Sequence, residues 1–255
     1  MLEWLLQGSP GVSAKLHCQD GIFDYWISDS GWYRVDPVRR TIYAPTGGDE
    51  LVQEQRLWGV PTLLCAMERS DFFLHAAAIE LDKGAVLFAA PGRHGKTTLA
   101  MAFHQRGYRV LSEDSACCRL APVPAILPGP ALLRVRPDVF DGSAPAGSRI
   151  AAVYDERIYL VFDEDRRGTD DPVPVQALVL LRESANEIQI QSMPAQKALP
   201  DLWALSFRLP NDVDRGRCFK QLAGLAAGVP IWNLYRPLRI GSLGATVDEI
   251  VKAFG

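Results

Sequence analysis

One stretch constrains this chain more than any other: an apolar strand that runs through a glycine-bearing loop into a helix. Ala85 to Ala89 are apolar and short enough for a buried strand. Ala90-Pro91-Gly92-Arg93-His94-Gly95-Lys96-Thr97-Thr98 follow, then an amphipathic segment to about Arg106 with Leu99, Ala102 and Phe103 on one face. Gly107 stands at the favoured position just past the helix end. Strand, loop, Gly-Lys-Thr and helix in that order form a phosphate-binding loop. Its backbone N–H groups must converge on phosphate oxygens, and small residues leave that approach open. Lys96 then reaches the β- and γ-phosphates, and the Thr97 hydroxyl can ligate Mg²⁺. Two positions depart from the usual pattern. Ala90 replaces its first glycine, and Arg93 stands where a small residue, often glycine, is expected.

The surrounding pattern is α/β. Residues 1–65 read as a small β-rich module, with strands at Ala14–Cys18, Ile22–Ser28, Trp32–Val35 and Thr41–Tyr43 between turn signals. A short helix is expected over 48–59, ending near Gly59-Val60-Pro61. Residues 66–255 read as the nucleotide-binding domain. Strands are expected at Phe73–Leu81, 85–89, 109–111, 116–120, 157–162, 175–181, 187–191 and 230–235, and helices at 194–205, 214–227 and 247–254. Residues 121–150, rich in Pro, Gly and Ala, read as irregular, with a short helix around 137–140. Trp4, Trp26, Trp32 and Trp58 of the first module read as core rather than binding aromatics, although an exposed subset could grip a peptide.

Phosphoryl transfer needs carboxylates near the metal and near the attacking hydroxyl. Glu113 and Asp114, in Arg109-Val110-Leu111-Ser112-Glu113-Asp114, follow a strand expected to run beside the loop strand. That places them at the carboxyl end of the sheet, where open α/β sheets bind ligands. Arg134 and Arg136 alternate along a strand and could clamp a phosphate or an acidic peptide, or simply lie solvated on an edge.

His75-Ala76-Ala77-Ala78, the loop through Leu99, and Arg106-Gly107-Tyr108-Arg109-Val110-Leu111-Ser112-Glu113-Asp114 together resemble the catalytic domain of HPr serine kinase/phosphorylase. They resemble still more that family's smaller HPr-kinase-like relatives. Those relatives show a His-Ala/Gly strand, a G-x-S-G-x-G-K-[ST] loop and an acidic pair after the first helix. Arg134-Val135-Arg136-Pro137-Asp138 and Gly228-Val229-Pro230-Ile231-Trp232-Asn233-Leu234 extend the resemblance, which spans about residues 72–255. It implies a P-loop core related to phosphoenolpyruvate carboxykinase, using ATP and Mg²⁺. Lys96 would hold phosphates, and Thr97 would bind the metal. The acidic pair would supply a metal contact and the base for a serine hydroxyl. Asp114 is the favoured base and Glu113 the metal contact, although the family has Asp where Glu113 stands. His75 occupies the family's histidine position near the active site, where it could equally be a satisfied strand histidine. The family's glycine- and isoleucine-rich signature after the acidic pair is missing, and the N-terminal module is smaller than the family's. The implied substrate is therefore a peptide or small protein other than HPr, of which ribosomally made peptide precursors, lasso-peptide precursors among them, are one class. A nucleotide-binding partner protein without catalysis and a small-molecule kinase remain the alternatives.

Bulk properties agree with a cytoplasmic enzyme. A net charge of -3 gives no electrostatic ground for a nucleic-acid or membrane partner. The first residues have no basic n-region, and no apolar run is long enough to span a bilayer. The five cysteines lack zinc spacing and read as reduced, mostly buried thiols. A homo-oligomer is left open.

Overall fold

A computed structural model describes residues 1–5, 11–154, 156–209 and 211–255 of the 255-residue chain. The chain is mixed α/β and clusters into two compact units, Met1–Phe72 and Phe73–Gly255.

The first unit is a five-stranded antiparallel meander: β1 (Leu2–Leu5), β2 (Ser13–Gln19), β3 (Ile22–Ile27), β4 (Gly31–Asp36) and β5 (Thr41–Tyr43), each paired with its sequence neighbour. Asp20 and Gly21 both take positive φ (53° and 78°), the backbone that the tightest hairpins require. Alternation sorts the faces. Ala14, Leu16, Tyr25, Ile27, Tyr33 and Val35 are buried. Trp32, expected in the core, falls on the opposite parity from Tyr33 and is exposed, 6.5 Å from Trp26 across the β3–β4 pair. Trp58 is exposed too, and the Trp4 side chain lies outside the described residues. Two helices follow, α1 (Glu50–Leu57) and α2 (Val60–Glu68), where the sequence suggested one. Pro61 sits in the first turn of α2, where its missing N–H costs no helix hydrogen bond. It therefore starts a helix rather than ending one.

The second unit opens with β6 (Phe72–Leu74), β7 (Ala76–Leu81), β8 (Gly84–Ala89), α3 (Lys96–Gln105), β9 (Arg109–Ser112), β10 (Ala116–Arg119), β11 (Ala125–Leu127) and β12 (Leu132–Val135). Then come β13 (Ser148–Tyr154), β14 (Arg157–Phe162), α4 (Glu164–Arg167), β15 (Val173–Glu183), β16 (Gln189–Met193) and α5 (Ala195–Ala204). β17 (Ser206–Phe207), α6 (Asp212–Gly228), β18 (Ile231–Arg236) and α7 (Leu243–Phe254) complete it. Its ten-stranded sheet is parallel across β8, β15 and β18 and antiparallel elsewhere among the described pairs. A separate sheet has the order β12-β14-β13. Residues 121–150, expected to be irregular, thus supply β11, β12 and the start of β13. Their prolines and glycines fall between the strands, so pairing is not interrupted. Among the described residues the cysteines form no disulfide, and Cys118 and Cys218 are the buried ones; strand alternation turns the Cys117 side chain away from the Cys118 face.

Helix α3 lies inside the core rather than on it. Leu99 and Phe103 share one apolar cluster with Ile79 and Phe88 of the large sheet, Leu133 and Leu160 of the small sheet, and Val247 and Ile250 of α7. The Phe103 ring stacks on Phe88 at 5.8 Å and meets Tyr108 edge-on at 5.4 Å.

Strand direction fixes what gathers at one end. β7 is antiparallel to both β8 and β9, so the ends of β8 and β9 meet the beginning of β7. The acidic pair therefore follows a strand one position removed from the loop strand, not directly beside it as expected. The parallel pairing of β8, β15 and β18 brings the last residue of β18 to the same end.

Truncation of Phe103 to Ala should cost roughly 3–5 kcal/mol, because it opens a cavity between two sheets and a helix. A urea midpoint within error of wild type would show that α3 is not anchored there.

Candidate functional site

The loop between β8 and α3 runs from Ala90 to Gly95. Its backbone takes two left-handed residues, Arg93 (φ 65°) and Gly95 (φ 77°). The residue noted as unexpectedly large, Arg93, thus sits in a conformation that a glycine adopts without strain. Its side chain is exposed, and the His94 ring bonds the Gly92 carbonyl at 2.9 Å.

Lys96 is the first residue of α3 and is 4% exposed. Its ammonium group donates to the Ala90 carbonyl at 2.9 Å, to the Pro91 carbonyl at 3.1 Å and to Nε2 of His75 at 2.8 Å. These use all three of its N–H groups. Asp114 Oδ1 lies 3.8 Å away. Burial pushes the Lys96 pKa down, opposed by Asp114 and Glu113.

His75 separates β6 from β7 and is oriented by what it faces. Nδ1 is 3.2 Å from the Asp114 carbonyl, which can only accept, so Nδ1 carries the proton and Nε2 accepts from Lys96. The Asp114 carboxylate is also 3.3 Å from Nδ1. Burial lowers the His75 pKa below its ordinary value, and Lys96 adds to this while Asp114 opposes it. The ring of Phe207, on edge strand β17, meets His75 edge-on at 6.2 Å.

Beyond β9 the two carboxylates divide. Glu113 is buried and accepts from the Thr97 hydroxyl through Oε1 and from Arg134 Nε at 3.1 Å through Oε2. Burial raises its pKa, with Arg134 opposing. Asp114 is 33% exposed, and its Oδ2 lies 3.5 Å from Arg134 Nη2. Arg134, on β12, is thus clamped between both carboxylates, with Glu113 raising its pKa. Arg136 has left the strand and pairs with Asp138 at 3.2 Å, so it does not join the group. Thr98 is the third residue of α3 and half-buried.

One member of the site escaped the sequence reading. Arg236, the last residue of β18, donates through Nη2 to the carbonyls of His94 and Gly95, at 2.9 and 3.3 Å. The signal was weak: a basic residue at a strand end, just before Pro237.

A hydroxyl and a buried carboxylate side by side, Thr97 and Glu113, are hard oxygen donors of the kind Mg²⁺ takes. Among the described residues no three His, Cys, Asp or Glu side chains gather into a metal site. A divalent ion here would need further oxygens from phosphates and water, which is how Mg²⁺ is usually held. Among the described residues no helix is long and apolar enough to cross a membrane.

No protein-family model matches the sequence, and no curated protein matches it. Among solved structures, the HPr(Ser) kinase/phosphatase from Coxiella burnetii aligns over 72% of this chain and 99% of its own, at 12% identity and a TM-score of 0.36. A score that low establishes no common fold.

Because folding lowers the His75 pKa, the unfolded chain binds the proton first as pH falls. The stability that neutral His75 supplies is complete above its ordinary value of 6.5 and declines below it. His104, lowered by burial and stacked on Phe162 at 4.4 Å, adds a decline of the same sign. Wild-type Tm should therefore fall as the pH is lowered through 6.5, and His75→Gln should make that fall shallower. An identical pH slope in the variant would mean that His75 is not held neutral.

Proposed function

We propose that the second unit is a Mg-ATP-dependent kinase. It transfers a phosphoryl group to a serine or threonine hydroxyl of a peptide or small protein. The observation that carries this reading is the convergence of Lys96, Thr97, Glu113, Asp114, His75 and Arg134 at the end of the sheet where the loop opens.

Each residue has a part that its surroundings support. Lys96 is held at the loop's base, within reach of phosphates seated on the loop amides. Thr97 and Glu113 would hold Mg²⁺, which when bound neutralises charge on the β- and γ-phosphates. Asp114 is the residue to take the hydroxyl proton, since it is the more exposed carboxylate and a substrate can reach it. His75 fixes Asp114 from its backbone side, and Arg134 fixes it from the other. The exposed Phe207 ring beside His75 offers an apolar contact that suits a peptide. A ribosomally made peptide precursor and a cytoplasmic setting belong to the same proposal.

One observation favours a second reading, a nucleotide binder without transfer. Arg134 already engages both carboxylates, the metal contact and the proton acceptor of the first reading. Catalysis requires it to release one of them, whereas a phosphate contact in either reading requires Lys96 to release one of its three partners. Incubation with γ-labelled ATP and serine-containing peptides separates the readings, because binding without label transfer would sink the kinase.

Asp114→Asn should lower kcat by about 10²–10⁴-fold while nucleotide affinity stays within a few-fold. Lys96→Ala should lose nucleotide affinity as well as transfer, with its far-ultraviolet circular dichroism unchanged. Wild-type turnover in either variant would contradict these roles.

A further inference from the structure

Arg236 is 3% exposed, yet no carboxylate lies within ion-pair distance of it among the described residues. Lys96 and Arg134 are matched by Glu113 and Asp114; Arg236 is not. Among the described residues its Nε has no hydrogen-bond partner, and besides the two Nη2 bonds its contact is a long one from Nη1 to the Pro237 carbonyl at 3.4 Å. A buried cation without a counter-charge is costly, and burial alone lowers its pKa.

Its position is set by register. Ala89, Leu180 and Asn233 lie level across the parallel strands, so Arg236 stands three residues beyond the end of β8, alongside the loop. From there its Nη2 holds the carbonyls of His94 and Gly95. In a trans peptide the carbonyl and the following N–H point in opposite directions. With those two carbonyls turned to Arg236, and the Gly95 carbonyl also accepting from the Leu99 N–H at 3.0 Å, the N–H groups of Gly95 and Lys96 are turned away from the guanidinium. A Cβ on residue 95 would meet Nη2, so an alanine there would displace the guanidinium as well as strain the positive φ.

We propose that Arg236 is a positioning residue for the anion site. It aims the Gly95 and Lys96 amides at a bound phosphate group, and that phosphate is the counter-charge the buried guanidinium lacks. The inference rests on reading the loop as a phosphate site. It accounts for a residue that phosphate contacts alone leave unexplained.

The test compares wild type, Arg236→Met, Arg236→Lys, Gly95→Ala and Lys96→Ala. Calorimetric titration would use Mg-ATP, Mg-ADP and inorganic pyrophosphate, and ¹⁵N spectra would follow the Gly95 and Lys96 amides. Arg236→Met and Gly95→Ala should each weaken binding at least about tenfold and shrink the anion-induced shifts of both amides. Arg236→Lys, which keeps a donor and a charge, should recover much of the loss. Equal weakening for all three ligands would identify the shared phosphate chemistry as what is recognised, and loss confined to the nucleotides would overturn that identification. If Arg236→Met proves unfolded, Gly95→Ala with Arg236 intact carries the same expectation. Wild-type affinity and amide shifts in folded Arg236→Met or Gly95→Ala would overturn the role of Arg236. Absence of binding by wild type, with no change in Lys96→Ala, would instead overturn the phosphate reading itself.

Discussion

The buried ammonium group of Lys96 organises the site around it. Taking a cation out of water is costly unless its N–H groups find acceptors. Here two acceptors are carbonyls of the loop that Lys96 closes, and the third is a histidine from the strand beside it. The loop's path, the tautomer of His75 and the placing of Asp114 all follow from satisfying that one group. His75 must present a lone pair to Lys96, so its proton faces the Asp114 carbonyl, and this ties β7 to the turn after β9.

The charges around this centre are arranged in two shells of different exposure. Glu113 is buried against Thr97 and Arg134, while Asp114 is open to solvent on one side. Two neighbouring carboxylates thereby acquire different environments, a common basis for dividing metal binding from proton transfer. Arg134 comes from a separate sheet, packed on α3 through Leu133 and Val135, so the small sheet delivers a charged group to the two carboxylates as well as covering the helix.

Much of the loop between β8 and α3 was legible in the sequence. Gly95-Lys96-Thr97 after an apolar run leaves few conformations, since the strand is buried and the helix begins at Lys96. The acidic pair was legible as a pair, but its strand neighbour was not. Pairing of β9 with β7 depends on a hairpin whose order in the sheet no local pattern states. Arg134 and Arg136 look equivalent in an alternating run, yet the strand ends between them and only Arg134 faces Glu113. Which tryptophans are exposed, Trp32 and Trp58, was not legible, because a large apolar side chain says nothing of its parity in a strand or its place at a helix end.

The sequence by itself determined the local geometry that short-range sterics and periodicity dictate: a buried strand, a loop with a left-handed glycine before lysine, an amphipathic helix and a pair of carboxylates. Tertiary structure alone decided which distant groups meet there. His75, Glu113, Arg134 and Arg236 lie on four different strands or strand ends, and only sheet order and direction bring them within hydrogen-bond reach of the loop or of each other. Arg236 shows why: it is buried with no counter-charge among the described residues, a property of the packed interior that residue type and spacing do not record.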